Sequence, residues 1–371
     1  MPTYRFDHIA INSTEKKKPV ESDKNTYLGL EHLDAGILEV TRFGAETAPK
    51  GEKLVMHKGD VLFGKRRAYQ KKVAIAPFDG IFSAHGMVLR PNEDVIDKDF
   101  FPFFISSDYF LDAAIKISVG SLSPTINWRD LSVLEFELPS MEKQRRLADV
   151  LWAMNDTKKA YRRLLEAADD LVKSQFIEQF GNLENVPDGW ERINFGRACN
   201  LVNGKAFKPS DWAEEGVPIV RIQNLNDPSA ECNYFNGSIE DKYWIDTGDL
   251  LFAWSGTPGT SFGAFIWERG KAVLNQHIFR VEPNDIIDKW FLMACFEGKL
   301  DEIIEKAHGG VGLRHITKKE LEQIEFLLPP KEIQLQFANF CKQSDKSKFE
   351  IQKSLDELIA SQQALMRDHI G

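Results

Sequence analysis

The sequence predicts an α+β protein in which a mixed α/β unit and a long helix that follows it occur twice. The first observation is a Gly-Asp-x-Leu-Phe segment at residues 59–63 that returns at residues 248–252. The second is a histidine-ending triplet at residues 83–85 that returns at residues 275–277. A third set returns at a constant offset of 190 residues: Leu131, Phe136, Leu138 and Pro139 fall on Leu321, Phe326, Leu328 and Pro329. Such repetition predicts a pseudo-twofold internal repeat.

The two globular regions are predicted at residues 1–140 and 182–330. Both contain short apolar segments bounded by Gly, Pro, Asn and Asp, which is typical of strands separated by turns. We expect a mixed α/β or α+β unit with a strongly bent sheet. Strands are predicted at residues 61–63, 73–76, 87–89, 218–222, 249–254 and 277–281, and helices at 99–117 and 290–307.

Two Pro-free stretches, residues 141–181 and 331–371, predict long spacer helices. Apolar side chains recur at heptad-like spacing in both, with charged residues between them. Two such stripes can bury each other as an antiparallel, coiled-coil-like pair, or each can pack on its own globular region. Their recurrence at the same place after each region favours the pair. A forty-residue helix spans ~60 Å, enough to hold the two globular regions well apart.

Composition excludes several classes of protein. Among the 371 residues, 43% are hydrophobic and 28% are charged, which is typical of a soluble globular chain. No cationic leader and no apolar run of membrane-spanning length is present, so we expect a cytoplasmic protein. The four cysteines form no Cys-x-x-Cys pair, and a zinc site is not expected. The net charge of −9 argues against a simple nucleic-acid coat, so DNA binding would depend on local cationic clusters and a partner.

Taken together, these motifs make the chain closely resemble the specificity subunit of type I restriction-modification enzymes over essentially its whole length. No single motif is specific, but their order, spacing and duplication are. One departure is Ser140-Met141, where the second repeat has a second proline, Pro330. Besides the Gly-Asp segments, the resemblance rests on the turn at Leu225-Asn226, on Leu274-Asn275-Gln276-His277, and on Gly309-Gly310, Ile316-Thr317, Leu321 and the run from Phe326 to Gln334.

The resemblance implies two target-recognition domains, at residues 1–140 and 182–330, that read a two-part double-stranded DNA sequence. It also implies that two modification (methyltransferase) subunits dock on the helices and that restriction (translocase and endonuclease) subunits join a larger complex. No cofactor is expected in this chain, because S-adenosylmethionine, ATP and magnesium are expected on the partner subunits. The helix residues assigned to partner binding are Leu147, Leu151, Met154, Tyr161, Phe337, Phe340, Ile351 and Leu358.

The first region has one cation-rich segment, residues 64–72, directly after the Gly-Asp-x-Leu-Phe strand. Arginine and lysine suit phosphates, and arginine and glutamine also pair with guanine and adenine edges in the major groove. A solvated hairpin tip would have the same composition, and the placement implied by the resemblance favours DNA contact. The predicted DNA-binding residues here are Lys65, Arg66, Arg67, Tyr69, Gln70, Lys71 and Lys72.

The equivalent segment of the second region, residues 254–261, is uncharged and rich in hydroxyl groups. It would allow close backbone approach and hydroxyl contacts to DNA, although an ordinary turn would look similar. Two further segments, 203–210 and 221–224, mix cations with amides and suit base edges; a satisfied turn and a strand edge remain open alternatives. The predicted DNA-binding residues of this region are Lys205, Lys208, Arg221, Gln223, Asn224, Ser255, Thr257 and Thr260.

Catalytic motifs are not found, so we interpret the chain as non-catalytic. It has no Gly-Lys-Ser/Thr phosphate loop and no His-Glu-x-x-His, and its only Pro-Pro pair, Pro329-Pro330, precedes a lysine rather than the aromatic residue of amino-methyltransferases. His85 and His277 are interpreted as structural because no second metal ligand lies at suitable spacing. The function predicted is sequence-specific DNA recognition of an asymmetric two-part target. The alternatives are a scaffold or decoy that binds a methyltransferase without DNA selectivity, and an enzyme with an unfamiliar site.

Overall fold

The computed structural model describes residues 1–227, 230–257, 260–310 and 313–370. The chain forms two compact units. The first unit comprises Met1–Arg162 and Lys353–Gly371, and the second comprises Arg163–Gln352. Each long helix is therefore divided between the two units, whereas the sequence predicts the helices as separate domains at residues 141–181 and 331–371. Within the described residues, no helix has the length and apolar character needed to span a membrane.

The first unit contains three small sheets in place of the single bent sheet expected from the sequence. They have the strand orders β1-β10, β2-β9-β6-β7 and β3-β5-β8-β4. The strands are β1 (Thr3–Arg5), β2 (Ala10–Ser13), β3 (Lys16–Lys17), β4 (Tyr27–Leu28), β5 (Lys53–Met56), β6 (Val61–Phe63), β7 (Val73–Ile75), β8 (Gly80–Phe82), β9 (Met87–Pro91) and β10 (Glu135–Glu137). The helices are α1 (Phe6–Ile9), α2 (Phe101–Ser106), α3 (Asp108–Lys116), α4 (Trp128–Ser132) and α5 (Met141–Phe180).

The second unit repeats this plan and adds one sheet. Its sheets have the orders β11-β23, β12-β20-β16-β18, β14-β13-β19-β15 and β17-β22-β21. The strands are β11 (Glu191–Asn194), β12 (Cys199–Asn203), β13 (Val217–Val220), β14 (Asn233–Phe235), β15 (Trp244–Ile245), β16 (Leu250–Ala253), β17 (Ser255–Gly256), β18 (Gly263–Ile266), β19 (Ala272–Leu274), β20 (Ile278–Pro283), β21 (His308–Gly310), β22 (Leu313–His315) and β23 (Glu325–Leu328). The helices are α6 (Phe195–Ala198), α7 (Ile222–Asn226), α8 (Lys289–Gly298), α9 (Leu300–Lys306), α10 (Lys318–Glu322) and α11 (Lys331–Ile370).

Three details differ from the predicted elements. The helix predicted over residues 99–117 is two helices, because the Ser107 hydroxyl accepts the backbone N–H of Phe110 and caps a new helix, α3. The helix predicted over 290–307 likewise breaks at Lys299, between α8 and α9. The strand predicted at 218–222 ends at Val220, and α7 begins at Ile222.

The Gly-Asp segments form the same turn in both units. Gly59 and Gly248 both have φ of +94°, a left-handed conformation that favours glycine. Gly59 donates its N–H to the carbonyl of Ala76 at 2.9 Å, and Gly248 donates to the carbonyl of Trp267 at 2.7 Å. The aspartate that follows accepts a backbone N–H three residues upstream, from His57 or Asp246, at 2.8 Å in both units. The motif is therefore a structural turn that fixes the start of β6 and β16.

A buried glutamine fastens the start of each long helix in the same way. Gln144 donates to the carbonyl of Pro139 and accepts the backbone N–H of Asp97, at 2.9 and 2.8 Å. Gln334 donates to the carbonyl of Pro329 and accepts the N–H of Asp288, at 2.9 Å in both cases. The first repeat makes these bonds although it lacks the second proline.

Both arrangements considered for the helical stripes occur. In the second unit, Phe176 and Phe180 of α5 contact Phe337 of α11, and Asp169 pairs with Lys348, so residue numbers rise on one helix as they fall on the other. The same aromatic side chains also pack into the core of that unit. In the first unit, Leu147 and Leu151 lie in the core. The antiparallel pairing is confirmed within the second unit. The long helices also pack on the globular cores of the two units.

Candidate nucleic-acid interface

The cation-rich segment of the first unit is a closed, internally bonded loop between β6 and β7. Gly64 and Lys72 close its base through a 2.9 Å backbone hydrogen bond, and residues 68–70 form a 3-10 turn. Arg67 and Lys71, which flank that turn, adopt φ of +54° and +50°, an uncommon conformation for residues with side chains. Arg67 donates its N–H to the carbonyl of Pro124 at 2.7 Å. The loop thus holds its side chains in fixed directions.

Only some of the predicted loop residues are available to DNA. Arg66, Arg67 and Tyr69 are exposed, and Tyr69 retains 54% of its surface. Lys71 is different, since it pairs with Asp108 and Asp112 of α3 at 2.6 and 3.1 Å. The hydrogen bond to Asp108 raises the pKa of Lys71. Lys72 donates to the carbonyl of Leu30 at 2.7 Å. The ammonium groups of these last two lysines thus already have partners within the unit, and DNA contact by either lysine stays a prediction that requires it to exchange those partners.

Further cations lie beside this loop. Strand β3, which carries Lys16, pairs with β5, which begins at Lys53. Burial lowers the pKa of Lys65, and the charge of Lys16 lowers it further. The pKa of His85 is lowered by burial and then by the charges of Arg66 and Lys65. This histidine contacts Arg66 at 3.3 Å, which agrees with its interpretation as a structural residue. The sequence does not point to Lys53, because this lysine lies outside the cation-rich segment 64–72.

In the second unit, a concave site of about 310 Å³ gathers polar and aromatic side chains. Arg221 lies above the ring of Trp212 at 5.8 Å and donates to Asn233 at 3.1 Å. Gln223 is exposed at the rim. The remaining lining includes Phe207, Asn275, Gln276 and His277. Guanidinium and amide groups beside aromatic faces suit contacts with nucleobases. Trp212 and Gln276 are candidates that the sequence reasoning missed.

The other residues predicted in this unit differ in accessibility. Lys208 and Thr260 are exposed, and so is Thr257. Lys205 is partly buried, with its ammonium 5.1 Å from the centre of the Phe235 ring. Ser255 is only 8% exposed, because it belongs to β17 and pairs with His315. Its prediction as a DNA contact is therefore wrong for this arrangement of the chain.

Asn224 is also unavailable. It has no exposed surface. Its side-chain oxygen accepts the N–H of Arg221 at 3.1 Å, and its amide nitrogen donates to the carbonyls of Ala230 and Glu231 at 3.1 and 3.2 Å. Every hydrogen-bonding group of the side chain is used to shape α7 and the segment after it. Asn224 therefore supports Arg221 and Gln223 and does not itself reach a base.

The helix residues assigned to partner binding divide into two groups. Leu147, Leu151 and Phe337 are buried in the cores of their own units, so their assignment to a partner surface is corrected. Met154, Tyr161, Phe340, Ile351 and Leu358 are half-buried. The apolar side chains of α5 that remain about half exposed are instead Val150, Leu164, Leu171 and Ile177.

Comparison with known proteins agrees with this geometry. The family described as "Type I restriction modification DNA specificity domain" matches residues 12–166 and 187–360. The chain belongs to this family. The double match confirms the internal repeat, and the resemblance read from the sequence is confirmed with it. Membership favours DNA recognition over a scaffold without DNA selectivity. Among the described residues, no group of three or more His, Cys, Asp or Glu is arranged to hold a metal ion.

Individual relatives carry the same description. The type I restriction enzyme EcoBI specificity subunit of Escherichia coli is 30% identical over 163 residues, which are 43% of this chain and 33% of that protein. The match therefore spans about a third of that relative's length. The putative type I restriction enzyme MjaX specificity subunit of Methanocaldococcus jannaschii is 22% identical over 89% of this chain and 84% of its own length.

Solved structures share the fold. A type I restriction-modification system S subunit from M. genitalium aligns with a TM-score of 0.53 at 15% identity, over 100% of this chain and 96% of that one. A chain from a structure on complex assembly and conformational transition of the type I R-M system aligns with a TM-score of 0.54 at 19% identity, over 100% and 97%. These similarities confirm two repeated mixed units with long helices.

Proposed function

We propose that this chain is the DNA-recognition subunit of a type I restriction-modification complex and that its two units read two different half-sites. The observation that carries the proposal is a shared framework with different reading side chains. Both units have the same Gly-Asp turn and the same glutamine anchor. Beside that framework, the first unit presents Arg66, Arg67 and Tyr69, whereas the second presents Arg221, Gln223 and Trp212. Different side chains select different base edges, so the target is asymmetric.

The first surface contributes most of the salt-dependent binding under this proposal. Arg66 and Arg67 are exposed, and no ion pair of either is found in the described part of the chain. Neutralising phosphates with such groups releases counterions and makes affinity fall steeply with salt. The second surface, with one arginine among amides and aromatic rings, contributes sequence selection more than charge.

Methyl transfer belongs to partner subunits in this proposal, because the family to which the chain belongs is described as a DNA specificity domain. S-adenosylmethionine, ATP and magnesium would accordingly be bound by two modification subunits and by restriction subunits. The outward apolar side chains Leu164, Leu171 and Ile177 of α5 support docking on the helices, since exposed apolar rows commonly mark protein contacts. A methyltransferase subunit should co-purify with the wild-type chain and be lost when these three residues become serine.

The proposal is tested by mapping methylation in a host that carries this chain and its methyltransferase partner. Long-read sequencing should find one asymmetric two-part motif. A variant with Arg66 and Arg67 changed to Ala should relax one half of the motif or abolish methylation, while a variant with Gln223 changed to Ala should relax the other half. Methylation without any sequence motif, or a motif unaffected by both variants, would contradict the assignment.

A further inference from the structure

The cavity between the helices and the globular part of the first unit contains a buried lysine without a counter-ion. The cavity has a volume of about 450 Å³, within the range of small-molecule sites. Lys158 of α5 lines it and is only 5% exposed. Its ammonium donates one hydrogen bond, to the Gln362 side-chain oxygen at 2.6 Å. An ammonium has three donors, and a buried charge that lacks an ionic partner is costly.

No carboxylate among the described residues forms an ion pair with this lysine. Glu39 is the carboxylate whose charge acts on Lys158, but it pairs with Lys159 and accepts the Asn155 amide at 2.9 Å. Arg162 and Arg367 also line the cavity, and neither forms an ion pair in the part of the chain that the structure describes. Burial lowers the pKa of Lys158, and the charge of Arg162 lowers it further. Three of the four cations that line this cavity, all but Lys71, therefore have no ion-pair partner among the described residues.

The second unit has the corresponding cavity, of about 510 Å³, with the opposite charge. Lys348, which is 190 residues after Lys158, lines it and pairs with Asp169 at 2.7 Å and Asp345 at 3.6 Å. Burial acts to lower the pKa of Lys348, but these two carboxylates outweigh it and raise that pKa. Two cations and five carboxylates line this cavity, compared with four cations and one carboxylate in the first.

The loss of the lysine's carboxylate partners in the first unit traces to two positions. The residues of the first unit that correspond to Asp345 and Asp169 are Asn155 and Ile359, and both line the first cavity. The lysine is thus common to the two repeats, while both of its carboxylate partners are replaced by neutral residues in one of them. Without these two carboxylates, the ammonium of Lys158 can bind an anionic group of a ligand in their place.

We propose that the first cavity binds a small organic anion, with its phosphate or carboxylate group on Lys158, Arg162 and Arg367. The cavity walls near Lys158 include the apolar side chains of Leu38 and Met366, so the ligand carries an apolar or aromatic body as well. Asn155 and Ile359 leave the anion position open. The second cavity, whose lysine already has its carboxylates, does not bind such a ligand.

The test is calorimetric titration of the full chain with three probes: adenosine monophosphate, 4-hydroxyphenylacetate and inorganic phosphate. The first two carry an aromatic body on a phosphate or a carboxylate, and the third supplies the anion alone. We expect saturable binding of at least one aromatic probe with Kd below about 1 mM, and weaker binding of inorganic phosphate. Saturation by adenosine monophosphate or by 4-hydroxyphenylacetate identifies the anionic group. No saturable binding of either aromatic probe would overturn the proposal.

Matched variants locate the site. Lys158→Met keeps the apolar stem and should weaken binding by about 10- to 100-fold, because it removes the charged donor. Lys143→Met, at an exposed position of the same helix that does not line the cavity, should bind as the wild type does. Retention of binding in Lys158→Met, or equal loss in both variants, would contradict the assignment.

A second pair of variants is informative even if Lys158→Met unfolds. Changing Asn155 and Ile359 to Asp copies the counter-ions of the second unit and should abolish binding while Lys158 remains. Changing Asp345 to Asn and Asp169 to Ile with Lys158 intact should leave binding at the first cavity unchanged, because the second cavity keeps three other carboxylates. Unchanged binding in the first of these variants would overturn the proposal. Loss of probe binding in the variant with Lys65, Arg66 and Arg67 changed to Ala would also overturn the proposal, because the anion would then bind at the cation-rich loop.

Discussion

The proposed reading surfaces of the two units differ far more than the frameworks that hold them. In the first unit, arginines project from a loop whose base is closed by backbone bonds. In the second, Arg221 and Gln223 sit at the rim of a concave site beside Trp212. The framework makes the same hydrogen bonds in both units. For example, Gln144 and Gln334 each donate to the carbonyl of a proline five residues upstream, at 2.9 Å. The difference teaches that duplication preserved what fixes the backbone and altered what faces outward, as expected when two half-sites are to be distinguished.

The largest effect should come from the charge of the first surface. Changing Lys65, Arg66 and Arg67 to Ala should weaken DNA binding by about 2–6 kcal/mol and reduce the slope of log affinity against log salt by about 2. Fluorescence anisotropy across a salt titration measures both quantities. An unaltered affinity and salt slope would show that this loop does not contact DNA. The proposed difference between the two surfaces would then be wrong for the first unit.

Next in size is a structural effect in the second unit. Asn224→Ala should leave two backbone carbonyls and one N–H without their partner, each worth about 1–3 kcal/mol when buried. Thermal unfolding should show a clear loss of stability. If instead stability is unchanged and only base selection is lost, Asn224 contacts DNA and the correction made above is wrong.

A smaller and more local effect is expected for Gln223→Ala. An amide that pairs with a base edge contributes about 1–3 kcal/mol to discrimination at one position. The variant should relax one position of one half-site and leave the salt slope unchanged, because glutamine carries no charge. Binding selection from a randomised duplex pool measures this, with the wild-type chain as the reference. Relaxation in both half-sites would show that the units do not read separately.

The smallest effect should follow Lys71→Ala. Its ammonium is already paired with Asp108 and Asp112 on a partly exposed surface, so the ion pairs contribute about 0–1 kcal/mol to stability. DNA affinity and salt slope should match those of the wild type. A salt slope lower by about 1 would show that Lys71 leaves its carboxylates for a phosphate.

The sequence predicted the framework because its signals are local and repeated. The Gly-Asp turn, the Leu-Pro-to-helix transition and the apolar stripes each occupy a few consecutive residues and occur twice. Side-chain availability depends on contacts distant in the chain, such as that of Lys71 with Asp108, and could not be read in this way. Asn224 is an intermediate case, since a side chain that accepts an N–H three residues upstream is a local capping pattern. The sequence assigns Leu147 and Phe337 to partner binding, whereas the cores of their own units bury them, because an apolar stripe does not show which surface will cover it.

The most direct test of the central claim is methylome sequencing of the wild-type complex beside two complexes whose variants each alter one surface. One variant changes Arg66 and Arg67 to Ala, and the other changes Arg221 and Gln223 to Ala. The account predicts an asymmetric two-part motif in the wild type, with each variant degrading a different half. A single continuous motif, or the same half degraded by both variants, would contradict it.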